Sequence, residues 1–158
     1  MNQSVVVLDD VLPKREELLY LIDNKLDSLN WYDLQQDHTY KDFCLSILDI
    51  AGKYFDLSNA VGYEFWGHNG TRTGWHYDKD ETLLEKTGEL TFPLCSTVYY
   101  LTTSKLRGGE LLIGNDLVIV PKPNRLVIFP PGKYHSVKPY EGKRVSLLIN
   151  PWSHHLCQ

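Results

Sequence analysis

The spacing of apolar residues changes partway along the chain. Between Lys14 and Leu29, the residues Leu18, Leu19, Ile22, Leu26 and Leu29 recur at helical intervals, and Pro13 suits a helix start. A second helix is predicted from about Tyr40 to Phe55. Phe43, Ile47, Ile50, Ala51 and Tyr54 would form its buried face, with Thr39 as its cap. Ahead of both, Val5 to Leu8 is a short apolar run that reads as an edge strand.

After Asp56 the pattern becomes one of short β-rich runs. They lie near 61–66, 73–78, 97–101, 110–113, 117–120, 126–129, 134–138 and 144–150. Turn residues separate them: Asn69-Gly70, Gly108-Gly109, Gly114-Asn115-Asp116, the Pro121–Asn124 stretch, Pro130-Pro131-Gly132 and Glu141-Gly142. Helices followed by many short strands predict an α+β, mainly β fold. The expected architecture is a double-stranded β-helix (jelly roll) with the N-terminal helices packed on one sheet. One domain over 1–158 is expected, with helical support over about 1–58 and a jelly-roll core over about 59–152. The charged stretch Lys79–Pro93 has no clear strand pattern and is a candidate lid.

Composition narrows the function. The 158 residues are 42% hydrophobic and 23% charged, which is ordinary for a globular chain able to bury a core. A formal net charge of -4 disfavours a nucleic-acid partner, because phosphate binding needs a basic footprint. No run approaches the ~20 apolar residues of a membrane span, and the first residues do not resemble a signal peptide. Cys44, Cys95 and Cys157 form no C-x-x-C pair and do not indicate a disulfide framework, so a reducing, cytoplasmic setting is expected.

The candidate chemistry lies in Gly74-Trp75-His76-Tyr77-Asp78. Along a strand, residues i and i+2 point to one face, so His76 and Asp78 would point together, with Trp75 and Tyr77 on the other side. An imidazole and a carboxylate can occupy neighbouring corners of a metal. A second histidine would complete the two-His, one-carboxylate set of non-haem Fe(II) oxygenases, which leaves coordination positions open for reaction. His135 is the candidate, because it follows a tight turn and opens a strand. His38, His68, His154 and His155 compete with it.

His135 gains weight from Arg144. If Glu141-Gly142 is a two-residue hairpin turn, Val137 faces Ser146 and His135 faces Leu148, and His135, Arg144 and Ser146 share a face. Four strand residues span about 13 Å, room for an arginine and a short ligand between guanidinium and metal. Arginine binds a carboxylate with two parallel hydrogen bonds, so a metal-chelating ligand with a carboxylate at its far end is predicted.

His76-x-Asp78, then His135, then Arg144-x-Ser146 resemble the Fe(II)- and 2-oxoglutarate-dependent dioxygenases, and are most similar to their prolyl 4-hydroxylase-like branch. The resemblance covers about residues 60–152. It extends to Thr97–Leu101 after the first two ligands, to Gly108-Gly109-Glu110-Leu111, and to Arg125–Phe129 before the distal histidine. It implies a jelly roll with Fe(II) on His76, Asp78 and His135. It implies 2-oxoglutarate as cosubstrate, O2 as oxidant and ascorbate as an accessory reductant. Arg144 and Ser146 would hold the far carboxylate, helped by the inward Tyr100, while Tyr99 points away. Trp66 falls where relatives often carry tyrosine.

The implied reaction is hydroxylation of a substrate C–H bond, with release of succinate and CO2. The carboxylate ligand Asp78 argues against halogenation. Related members use lysine at the Arg144 position for peptidyl proline, so prolyl specificity does not follow. A peptide, possessing a prolyl or other target residue, or a small amino-acid-like molecule is the expected partner. The loop His68–Arg72 would line its entrance. Two other readings stand beside this one: a non-catalytic metal-binding or sensing jelly roll, and a cupin-type oxygenase that does not use 2-oxoglutarate.

Overall fold

A computed structural model describes residues 4–23, 29–68 and 74–156. The architecture is two antiparallel sheets facing each other, as a jelly roll requires. The larger has the order β1-β7-β4-β9-β3-β2, built from Val6–Leu8, Arg125–Phe129, Ser96–Gly108, Tyr140–Trp152, Gly62–His68 and Asn30–Asp33 respectively. The smaller has the order β6-β5-β8, from Leu117–Ile119, Leu111–Ile113 and His135–Val137.

Alternation gives the large sheet two apolar faces. Tyr63, Phe65, Tyr99, Leu101, Leu126, Ile128, Val145, Leu147 and Ile149 point outward and pack with the helical residues. The helix α2, Lys41–Ala51, covers this face with Phe43, Cys44, Ile47, Leu48 and Ala51. The opposite face carries Val98, Tyr100, Val127 and Phe129, which pack against Leu111, Ile113 and Ile119 of the small sheet. Burial on both faces explains why β4, β7 and β9 read as near-continuous apolar runs.

Several local expectations need correction. The predicted helix Lys14–Leu29 is a 3-10 turn, Glu16–Leu18, followed by the short α1, Tyr20–Asp23, as far as it is described; residues 24–28 lie outside the described residues. Leu18 and Leu21 enter the core while Leu19, Tyr20 and Leu29 are exposed, so the burial does not follow one long helical face. In α2 the cap is Tyr40 rather than Thr39, and Tyr54 lies beyond the helix, exposed. Asn30–Asp33 pairs with β3 although its polar, aromatic pattern carries no strand signal. The 79–93 stretch holds α3, Glu81–Thr87, capped by the Asp80 carboxylate accepting from Leu83 N–H at 3.0 Å.

The Glu141-Gly142 hairpin is also overturned. β8 pairs with β5 in the small sheet, whereas β9 starts at Tyr140 and pairs with β4 and β3 in the large one. Gly142 lies inside β9, opposite an irregularity of β4 between Ser104 and Arg107. Its φ of 93° and the close approach of the Lys105 carbonyl leave no room for a side chain, which accounts for the glycine without a turn.

Candidate metal centre

His76 reaches the site without a regular strand. Residues 74–80 are extended but irregular, and one antiparallel bridge, His76 to His135, ties them to β8. Both backbone bonds of that bridge form: His76 N–H to His135 O at 2.9 Å and His135 N–H to His76 O at 3.0 Å. Alternation persists, because Trp75 and Tyr77 are exposed while Asp78 turns inward.

His76, Asp78 and His135 each offer a ligand atom within 4.8 Å of the others. The Asp78 Oδ1 lies 3.6 Å from His76 Nε2 and 3.4 Å from His135 Nε2. The remaining polar atoms are fixed by the protein. His76 Nδ1 lies 2.7 Å from Gly74 O, and His135 Nδ1 lies 2.8 Å from Lys133 O. A carbonyl only accepts, so each Nδ1 carries a proton, and each Nε2 is directed at Asp78, able to donate to it when protonated and to offer its lone pair to a metal when not. Asp78 Oδ2 accepts from Ser96 Oγ at 2.7 Å and Asn150 Nδ2 at 3.1 Å, which leaves Oδ1 facing the histidines. Two oriented imidazoles and one oriented carboxylate oxygen suit a divalent ion such as Fe(II).

The ionisation pattern agrees with this crowding. Burial would raise the Asp78 carboxyl, but hydrogen bonds to His135 and His76, the charge of His135 and the Ser96 hydroxyl together hold it well below the carboxylate range. Asp78 in turn raises the His76 imidazole against its burial. Since Ser96 fixes the Asp78 carboxylate from behind, Ser96→Ala is expected to weaken Fe(II) binding by about 10–100-fold while leaving the three ligands in place. Metal titration calorimetry on the variant checks this.

The centre opens into a cavity between the sheets. Tyr100, Arg144 and Ser146 line it from the large sheet, and Leu111, His135 and Val137 from the small one. Thus His135, Arg144 and Ser146 do come together, but across two facing sheets and not along one hairpin. Arg144 is 3% exposed; its Nη1 donates to Gly109 O at 3.1 Å, and its guanidinium carbon lies 5.8 Å from the Tyr100 ring centroid and 5.1 Å from that of Tyr140. The Tyr100 hydroxyl is buried and has no hydrogen-bond partner among the described residues. Burial pushes this phenol up to about 12, so it keeps its proton and can donate. A buried guanidinium beside a phenol lacking an acceptor fits the carboxylate end of 2-oxoglutarate. Tyr99 points to the other face and donates to Asn124 Oδ1 at 2.8 Å.

Other candidates lie elsewhere. His38 stacks on Tyr32 at 3.6 Å and meets the Tyr63 hydroxyl at 2.6 Å, on the helical side of the sheet. His154 lies 3.6 Å from Asp80, and His155 3.4 Å from Asp33. The His68 side chain, residues 69–73 with Arg72, and Cys157 fall outside the described residues. Trp66 is half-buried and lines the inner cavity.

The sequence pattern does not single out Glu64, although strand alternation in Gly62–His68 places it inward beside Trp66. It is 7% exposed, and Trp152 Nε1–H donates to its Oε1 at 2.6 Å. Burial raises its carboxyl from an ordinary 4.5 to about 7, with Asp78 and Asp80 adding to the rise. Protonated Glu64 therefore favours the fold fully below about pH 4.5, and that contribution is lost as pH climbs through 7. In the metal-free protein at about pH 8, Glu64→Gln should be more stable than wild type by on the order of 2–3 kcal/mol, from a shift of 4.5 to about 7. Denaturant melts at about pH 8 and pH 4.5 check it, and the gain should vanish at the lower pH.

Residues 60–154 match the 2OG-Fe(II) oxygenase superfamily. No curated protein sequence matches the chain significantly. In fold it is similar to a Pseudomonas putida prolyl-4-hydroxylase, at 16% identity and a TM-score of 0.65, covering 98% of this chain and 95% of that one. A Burkholderia pseudomallei oxidoreductase of the 2OG-Fe(II) oxygenase family aligns at 13% identity and a TM-score of 0.63, covering 97% and 87%. A Trichoplax adhaerens prolyl hydroxylase, solved in complex with a peptide fragment of hypoxia inducible factor, aligns at 14% identity and a TM-score of 0.61, covering 96% and 84%. The chain belongs to the 2OG-Fe(II) oxygenase superfamily. It is thus an oxygenase of the class that works with Fe(II), 2-oxoglutarate and O2. Among the described residues, no helix is long and apolar enough to cross a membrane.

Proposed function

We propose that the whole chain acts as one domain that hydroxylates a C–H bond of a peptidyl or small amino-acid-like substrate, consuming 2-oxoglutarate. His76, Asp78 and His135 hold the iron; Arg144, Ser146 and Tyr100 hold the far carboxylate of 2-oxoglutarate. The observation that carries this reading is a single cavity lined both by the ligand set and by buried Arg144 beside Tyr100. The bound metal supplies O2 activation, coupled to conversion of 2-oxoglutarate into succinate and CO2. The protein's part is positional. Backbone carbonyls fix both imidazoles, Ser96 and Asn150 fix the carboxylate, and Val98, Leu111, Phe129 and Leu148 wall the cavity against water.

The fold shared with prolyl hydroxylases, one of them holding a peptide, supports a peptide substrate, with proline one target to test. The buried free thiols of Cys44 and Cys95 accord with a cytoplasmic setting. The test is succinate formation by anaerobically iron-loaded protein once O2 is admitted, with and without prolyl peptides and free amino acids. No succinate under any of these conditions would overturn the proposal.

A further inference from the structure

Among the described residues, a single bridge, His76 to His135, pairs the segment 74–80 with β8. A regular strand would hold a ligand by hydrogen bonds along its whole length. Here one pair of backbone bonds carries that task for His76.

Strand alternation supplies a second tie on the outer face. His76 and His135 point inward, so their neighbours Trp75, Tyr77 and Tyr134 point outward. In an antiparallel pairing centred on His76 and His135, Tyr134 stands opposite Tyr77 and diagonal to Trp75. It meets both. Its ring centroid lies 5.3 Å from that of Trp75, stacked at 28°, and 4.9 Å from that of Tyr77. Tyr77 continues the row to Phe92 at 5.9 Å. Phe92 lies over Gly132, where a Cβ would stand 3.4 Å from its ring. Four rings therefore join three segments: the one carrying His76 and Asp78, the end of the 79–93 stretch, and the turn that leads into His135.

Core burial does not account for these rings. Trp75 and Tyr134 are each 45% exposed and Tyr77 is 38% exposed, and none of them belongs to either apolar core. Their contacts are with one another, at separations where aromatic pairs attract. Each of the three is bonded in sequence to a proposed metal ligand.

We infer that Tyr134 is a positioning residue for the metal centre. Its ring, against Trp75 and Tyr77 on the outer face, fixes the His76 segment on β8 and so sets the spacing of the two imidazoles, whose centroids are 4.3 Å apart. The inference rests on the assignment of His76, Asp78 and His135 as ligands. Tyr134 acts through them from the opposite face and touches no bound group. The contacts are made by the ring, so phenylalanine should serve in its place.

The experiment uses the full chain and Co(II), whose visible absorption reports the geometry of its ligands. Calorimetry gives the affinity for Co(II), and denaturant melts of the metal-free proteins give the stability. Tyr134→Ala should bind Co(II) about tenfold more weakly than wild type and show an altered visible spectrum. Tyr134→Phe should restore both affinity and spectrum. Trp75→Leu removes one of the two ring contacts of Tyr134. It should weaken binding by about two- to fivefold and serves if Tyr134→Ala does not fold. Tyr54→Ala, a control at a 43% exposed tyrosine just beyond α2, should leave Co(II) affinity and spectrum as in wild type. Lower stability of Tyr134→Ala with unchanged affinity and spectrum would make Tyr134 merely structural and overturn the inference. A loss that Tyr134→Phe does not restore would overturn it too, because the ring would then not be the cause. In either case, stoichiometric Co(II) binding by wild type would leave the ligand assignment standing. No Co(II) binding by wild type would overturn both together.

Discussion

His76→Ala is expected to abolish productive iron binding and lower succinate formation by at least about a thousandfold, equivalent to about 4 kcal/mol. Of the three proposed ligands, His76 is the cleanest to remove. Its side chain is 34% exposed, against 7% for His135 and 15% for Asp78. Its hydrogen bonds go to Gly74 O and toward Asp78, and not to the core. His135, by contrast, packs edge-on to Phe129 at 4.9 Å, and Asp78 anchors Ser96 and Asn150. Loss of either would disturb packing as well as metal binding. The metal-free His76→Ala protein should therefore melt close to wild type. Added Fe(II) or Zn(II) should raise the melting temperature of wild type, because a ligand at 100 times its Kd stabilises by about 2.7 kcal/mol. It should leave the variant unmoved. Retention of stoichiometric metal binding in the variant would refute the ligand assignment.

Arg144→Met is expected to weaken 2-oxoglutarate binding by about 100–1000-fold, or about 3–4 kcal/mol, with the iron affinity unchanged. The size follows from burial. Arg144 is 3% exposed and flanked by the rings of Tyr100 and Tyr140, so its pairing with a carboxylate is poorly screened by solvent. Methionine keeps much of the volume and removes the charge. A second measurement isolates the carboxylate. 2-Oxobutyrate has the chelating end of 2-oxoglutarate but lacks the far carboxylate, so wild type should discriminate strongly between the two and the variant should not. Arg144→Lys should restore part of the affinity as a point charge without the two-pronged fit. Unaltered discrimination in Arg144→Met would show that the far carboxylate is bound elsewhere.

These two experiments probe two groups that line one cavity, and the two were unequally legible in the sequence. His76 and Asp78 needed only i, i+2 alternation, a property of extended backbone that holds even though 74–80 forms a single bridge and no regular strand. Arg144 and Ser146 share a face with each other for the same local reason. Their relation to His135 was reached through a hairpin that does not exist. Glu141-Gly142 has turn composition, yet Gly142 serves an irregular crossing of two long strands at a φ of 93°. Glycine reports a backbone need without saying which one. His135, Arg144 and Ser146 nevertheless line one cavity, because β8 and β9 belong to opposite sheets whose inner faces meet.

The first N-terminal helix begins later than its spacing predicts, at Tyr20, for a related reason. Leucines at helical spacing between Lys14 and Leu29 satisfy a helix template, but only Leu18 and Leu21 of the described positions enter the core. Burial there depends on what the large sheet leaves uncovered, and α2 already packs Phe43, Cys44, Ile47, Leu48 and Ala51 on that face. Glu64 was overlooked because one acidic residue among aromatics looks like a solvent-facing strand position. Its side is fixed only when β3 is seated between β2 and β9.

The sequence by itself determined what short-range geometry can carry: a helical part ahead of a strand-rich part, two ligands facing the same way, and an arginine two residues from a serine on a common face. Tertiary structure alone decided which sheets meet, and hence that His135 joins His76 and Asp78, that Arg144 lines the same cavity, and that Glu64 is buried against Trp152. The physical reason is that alternation sets the direction of a side chain relative to its own backbone, whereas a binding site depends on the distance between side chains on different strands, which is fixed only by pairing across the fold.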